Sequence, residues 1–98
     1  MRRAEIIAQL KQIEPALRAF GVGGLFLFGS HARDAAGPTS DIDVFVDPAN
    51  ETTFDFVRYM DAYEALKDVV GESLDYGTRN GLHPLMRSNI EREAVKVF

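Results

Sequence analysis

Asp41 and Asp43 stand one residue apart at the mouth of the apolar run Ile42-Asp43-Val44-Phe45-Val46, and ten residues before them the chain reads Phe28-Gly29-Ser30. Residues i and i+2 of a strand leave the same face, about 6.6 Å apart along the chain. Two carboxylates at that distance repel unless a cation lies between them, and hard divalent ions such as Mg²⁺ suit oxygen donors. A strand with one solvated face shows the same alternation, so the pair alone does not specify chemistry. The Gly-Ser adds to it. Gly29 follows an apolar run and precedes a short helix, a geometry in which backbone N–H groups hold phosphate. The missing Cβ permits close approach, and the Ser30 hydroxyl adds a donor. Arg33, one helical turn on, carries a guanidinium suited to gripping a phosphate with two hydrogen bonds. An ordinary turn with an N-cap serine and a solvated arginine is the plain alternative.

The elements that must position these residues follow from periodicity. Ile6, Ile7, Leu10, Ile13, Leu17 and Phe20 predict an amphipathic helix over 3–20, kinked or ended early by Pro15, with Gly21-Val22-Gly23-Gly24 as the turn after it. Leu25 to Phe28 reads as a strand covered on both faces and Ser30 to Ala36 as a short helix. Over 41–47, Asp41, Asp43, Phe45 and Asp47 share one strand face while Ile42, Val44 and Val46 share the other. Phe54, Val57, Met60, Tyr63, Leu66 and Val70 predict a second helix stopped by Gly71. A strand over Ser73–Tyr76, a helix opened by Pro84 with Leu85, Met86 and Ile90 buried, and an edge strand over 94–98 complete the chain. Helices alternating with strands imply a sheet with helices packed on it.

Composition bounds the partners. With 11 Lys and Arg against 15 Asp and Glu, the net charge of -4 repels polyanions, which argues against a tight, sequence-blind nucleic-acid binder. No cysteine is present, so neither a disulfide framework nor a thiolate metal site is available. No run approaches the ~20 apolar residues of a membrane span, and Met1-Arg2-Arg3 leads into alternating polar and apolar residues unlike a signal peptide. A cytoplasmic setting is expected, and a homo-oligomer is left open.

Gly29, Ser30, Arg33, Ser40, Asp41 and Asp43, at this spacing, resemble the nucleotidyltransferase superfamily that includes DNA polymerase beta, in particular its minimal nucleotidyltransferase (MNT) group. The likeness extends to the preceding helix, the acidic segment Ser73-Leu74-Asp75-Tyr76 and the tail from Leu82 to Phe98, and so covers nearly the whole chain. It implies an α/β (α+β) nucleotidyltransferase fold, a mixed four-stranded sheet with helices packed against it, as one domain over 1–98. It further implies Mg²⁺-dependent transfer, with Asp41 and Asp43 as metal ligands and a third catalytic carboxylate on a neighbouring strand. By position that is Asp75, with Glu72 and Asp68 as alternatives. Gly29, Ser30, Arg33 and Ser40 would hold the nucleotide, with ATP as donor and two Mg²⁺ ions. Small members of this group work as antitoxins beside a helical HEPN-type partner, which would supply the acceptor hydroxyl; the alternative is an antitoxin that neutralises its partner by binding alone. Two positions depart from the pattern: His31 where Arg is frequent, and Asp34 where Gly is common.

Overall fold

The computed structural model describes residues 2–71 and 73–98. Its helices are α1 (Arg3–Gln12), α2 (Glu14–Ala19), α3 (Gly29–Ala32), α4 (Phe56–Val70) and α5 (Arg87–Glu93). The strands β1 (Val22–Phe28), β2 (Ile42–Pro48), β3 (Leu74–Thr78) and β4 (Val95–Lys96) form one sheet in the order β3-β2-β1-β4. β1 runs antiparallel to β2 and β4, and β2 runs parallel to β3. This is the mixed four-stranded sheet that the sequence implied, with β4 at an edge.

The two faces of the sheet have different tasks. Leu25 and Leu27 pair with Val46 and Val44, and these side chains join Ile42 and Val22 beneath Ile6, Leu10 and Leu17 of α1 and α2 and Ala62 and Leu66 of α4. All are buried, each large side chain contributing about 1.5 to 3 kcal/mol of transfer free energy. The alternation along β2 sends Asp43, Phe45 and Asp47 to the opposite face, where Phe26 and Phe28 are their cross-strand neighbours or close by. Phe45 is fully buried there, stacked on Phe26 with ring centroids 4.9 Å apart and tilted against Phe28 at 5.7 Å. This second face carries the carboxylates. β1 is thus not equally covered on its two sides: Leu25 and Leu27 are buried, Phe26 and Phe28 only partly.

Several expectations need correction. The helix expected over 3–20 is interrupted as Pro15 implied: it is two helices broken at Ile13, with Pro15, which lacks an N–H, in the first turn of α2. Gly23 and Gly24 lie within β1; a Cβ on Gly23 would sit 2.9 Å from the Ala49 Cα, so that glycine serves close backbone approach. The helix after Ser30 is shorter than 30–36, and Asp41 precedes its strand by one residue. Val57, counted in the buried stripe of α4, is 65% exposed. Pro84 does not open α5. The His83 carbonyl accepts from Met86 and Arg87 and its Nδ1 from Leu85, closing turns that leave Leu85 and Met86 exposed; α5 begins only at Arg87.

Candidate active site

The site is built where β1 ends and β2 and β3 begin. Phe28 leaves β1 extended, Gly29 turns the chain with φ +73°, and α3 starts at once. A Cβ on Gly29 would collide with Asp43 Oδ2, so glycine is required both by the backbone and by the carboxylate against it. His31, on α3, is buried, and its Nδ1 donates to the Asp41 carbonyl at 2.9 Å. That bond ties the Gly-Ser turn to the start of the Asp-x-Asp strand. Sequence reasoning treated His31 as a lost positive charge; it is a brace across the ten-residue spacer.

Asp43 pairs in register with Asp75 on the adjacent parallel strand, so the two carboxylates sit side by side about 4.8 Å apart in backbone terms. β3 is anchored from the other face by Tyr76, whose hydroxyl donates to the Tyr59 carbonyl at 2.9 Å and whose ring packs on those of Tyr59 and Tyr63. Burial first, then the Asp75 charge and the hydrogen bond shared with it, then the Asp41 charge, push the Asp43 carboxyl up to about 6; His31 pulls the other way. Burial, helped by the Asp75 charge, also raises the Tyr59 phenol. The negative charge of the neighbouring carboxylates thus adds to burial in disfavouring the ionised form of Asp43.

The remaining candidates divide. Gly29, Ser30, Arg33 and Asp43 line one cavity of about 470 Å³, roofed by Met86, Asn89, Ile90 and Glu93 from the α5 region. Arg33 faces that space but is engaged there, its Nη1 3.0 Å from Glu93 Oε2. Asp75 lines an adjoining cavity of about 300 Å³ with Gly77, Leu82 and His83, and the two hollows share Phe28, Met86 and Ile90. Ser40 lines neither; its Oγ accepts the Gly37 N–H at 3.0 Å and closes the turn before β2. Asp41 is exposed, held through its backbone by His31. Asp68 belongs to α4, and Glu72 lies outside the described residues. Asp34, the other departure, holds φ +56°, a conformation that glycine adopts without strain, and its Oδ1 accepts the Arg3 N–H at 3.2 Å.

A divalent cation fits the donor set by chemistry: Asp43 and Asp75 converge, both are oxygen donors, Asp41 is within electrostatic reach, and no ion pair among the described residues involves the three. Among the described residues, however, no three carboxylate or imidazole side chains are gathered closely enough to enclose an ion by themselves. Asp43 meets Asp75 across two strands through a side-chain hydrogen bond, and Asp41 acts on Asp43 through its charge.

Arg79, which follows β3, is fully engaged. It grips Asp47 with two hydrogen bonds of 2.9 and 2.8 Å, reaches Glu91 of α5 at 2.6 Å, and lies 4.9 Å above both Phe26 and Phe45. Hydrogen bonds to Asp47 and then Glu91 hold its guanidinium above the ordinary arginine range.

Residues 5–97 match the family model of the nucleotidyltransferase domain. A candidate protein adenylyltransferase of Methanocaldococcus jannaschii, MJ0435, is 40% identical over 89 residues, which are 90% of this chain and 92% of the relative. Among solved structures, a candidate minimal nucleotidyltransferase superposes with a TM-score of 0.80 at 26% identity over 97% of this chain and 95% of the other. A chain of a toxin–antitoxin structure with AMP-PNP gives a TM-score of 0.67 at 20% identity, over 92% of this chain and 72% of that one, and shares the fold. No helix of the described residues is long and apolar enough to cross a membrane.

Proposed function

The chain belongs to the nucleotidyltransferase domain family and is a nucleotidyltransferase, and from that premise we propose that it moves AMP from ATP to a hydroxyl of a partner protein. We place it as the antitoxin of a toxin–antitoxin pair whose other member is a small helical protein of the HEPN type. The relative named for protein adenylyl transfer supports the reaction, and the fold shared with a toxin–antitoxin structure holding AMP-PNP is consistent with the setting.

The observation that carries the chemistry is the pairing of Asp43 with Asp75 against Gly29. In this reading the Gly29-Ser30 backbone, the Ser30 hydroxyl and the Arg33 guanidinium hold the β- and γ-phosphates in the larger cavity, which Ser30 and Arg33 both line. The acceptor enters from the adjoining hollow beside Asp75. Its hydroxyl oxygen bonds to the α-phosphorus, the bond from that phosphorus to the bridging oxygen breaks, pyrophosphate leaves, and Asp75 takes up the hydroxyl proton. Two Mg²⁺ ions, held by Asp41, Asp43 and Asp75, would supply positive charge at the α-phosphate and at the leaving pyrophosphate. His31 keeps Asp41 in place through its backbone, and Tyr76 keeps Asp75 beside Asp43.

The test is label transfer from α-labelled ATP with Mg²⁺ and the partner. Wild type is expected to label the partner, and Asp41→Asn combined with Asp43→Asn is expected to fail. If neither labels it and both neutralise it equally, complex formation alone is the function.

A further inference from the structure

The arginine assigned to the donor phosphates already has a carboxylate on it. Glu93, in the last turn of α5, places Oε2 3.0 Å from Arg33 Nη1, and both side chains are about half exposed, at 49% and 51%. Both line the cavity that also contains Gly29, Ser30 and Asp43, so the ion pair is inside the donor space. A triphosphate gripped by Arg33 meets a guanidinium whose Nη1 is already bonded to Glu93, and that carboxylate stands in the cavity beside the incoming negative charge. α5 has no buried residue of its own; besides its apolar contacts, Glu91 to Arg79 and Glu93 to Arg33 tie it down. Breaking the second of these leaves the first in place, so displacement of Glu93 does not require α5 to leave.

We propose that Glu93 is a specificity-determining residue of the donor pocket, competing for Arg33 with the terminal phosphates of the donor and with the pyrophosphate left after transfer. This rests on the assignment of Arg33 to those phosphates. Competition has a sign that a scaffolding role lacks. Ligands whose phosphates reach Arg33, ATP and pyrophosphate, bind less tightly because of Glu93, whereas AMP, which lacks the two outer phosphates, is indifferent to it. In turnover, Glu93 returns to Arg33 as pyrophosphate departs and so limits inhibition by that product.

The experiment is a double-mutant cycle of Mg²⁺-dependent binding, by calorimetry, for ATP, pyrophosphate and AMP to wild type, Glu93→Gln, Arg33→Ala and the double variant. Exposed ion pairs have coupling strengths that correspond to about two- to five-fold in affinity. Glu93→Gln is expected to tighten ATP and pyrophosphate by that factor, to leave AMP unchanged, and to change nothing once Arg33 is alanine. If Glu93→Gln leaves ATP unchanged or weakens it while Arg33→Ala weakens it, the competition is overturned and the phosphate assignment stands. Tightening that persists in the Arg33→Ala background overturns it as well, since general charge repulsion then suffices. If Arg33→Ala leaves ATP and pyrophosphate binding intact, the phosphate assignment itself falls, and the competition with it.

Discussion

Asp43 and Asp47 lie on the same face of the same strand, about 13 Å apart, yet their surroundings are opposite. Asp47 is gripped by Arg79, which is itself stacked on two phenylalanines and tied to Glu91. Asp43 has no such cation; its neighbours are Asp75, Asp41 and the turn at Gly29. One end of β2 pairs its carboxylate with an arginine of the same chain, while the other concentrates negative charge that His31 offsets only in part. A third hollow, of about 320 Å³ and lined by Asp47, Glu51, Phe54 and Arg79, lies at the first end, where Asp47 is paired with Arg79. A carboxylate left with its own kind, beside the largest of the three hollows, about 470 Å³, distinguishes the Asp43 end from the Asp47 end.

The sharpest way to break this contrast is to make the same substitution at both ends. Asp43→Asn is expected to reduce label transfer on the order of 10³-fold or more without loss of folding. Asp47→Asn is expected to leave transfer within about ten-fold of wild type and to lower the melting temperature instead. Equal losses of activity would erase the distinction.

Next in size is Arg79→Ala, which strips Asp47 and Glu91 of their partner and uncovers Phe26 and Phe45. A loss of about 2 kcal/mol, or roughly 10 °C in melting temperature, is expected by thermal denaturation. Arg79→Lys should recover little, because an ammonium reproduces neither the two-bond grip nor the planar stacking. Full rescue by lysine would mean that charge alone matters there.

The smallest effect is the pH response without Mg²⁺. Asp43 titrates near 6 when folded against 3.8 unfolded, so between those values the folded state binds more protons. Stability therefore falls as pH rises from about 4 through 6, by roughly 1 kcal/mol once solvent screening is discounted. Glu91 responds in the other direction. Its hydrogen bond to Arg79 holds it below its ordinary value of 4.5, so its contribution is present above that value and is lost as pH falls. In melts across pH 3 to 8, Asp43→Asn should remove the gain on mild acidification, and Glu91→Gln the loss at lower pH. A wild-type profile flat between 4 and 7 would contradict the crowding of Asp43.

Much of this was legible from alternation and spacing. The two faces of β2 followed from period two, and the pattern from Gly29 to Asp43 led to the superfamily and to Asp75. The parts that were not legible depend on long-range contacts. Nothing local tells that Asp75 registers with Asp43, that His31 reaches the Asp41 carbonyl, or that Arg79 is consumed by Asp47, 32 residues away, and Glu91. Leu85 and Met86 follow a proline in a helix-like pattern, but the His83 carbonyl and ring close turns there, and the apolar side chains are left outside. Nor does the sequence show that the Ser40 hydroxyl oxygen accepts the Gly37 N–H and closes its own turn.

The most direct test of the central claim needs no partner protein: titration calorimetry of ATP into wild type and Asp43→Asn, each with and without Mg²⁺, at pH 7.5. Wild type should bind ATP only when Mg²⁺ is present, and Asp43→Asn should lose that dependence together with most of the affinity. If Asp43→Asn bound Mg²⁺ and ATP as tightly as wild type, the crowded carboxylates at the head of β2 would not be a metal-nucleotide site.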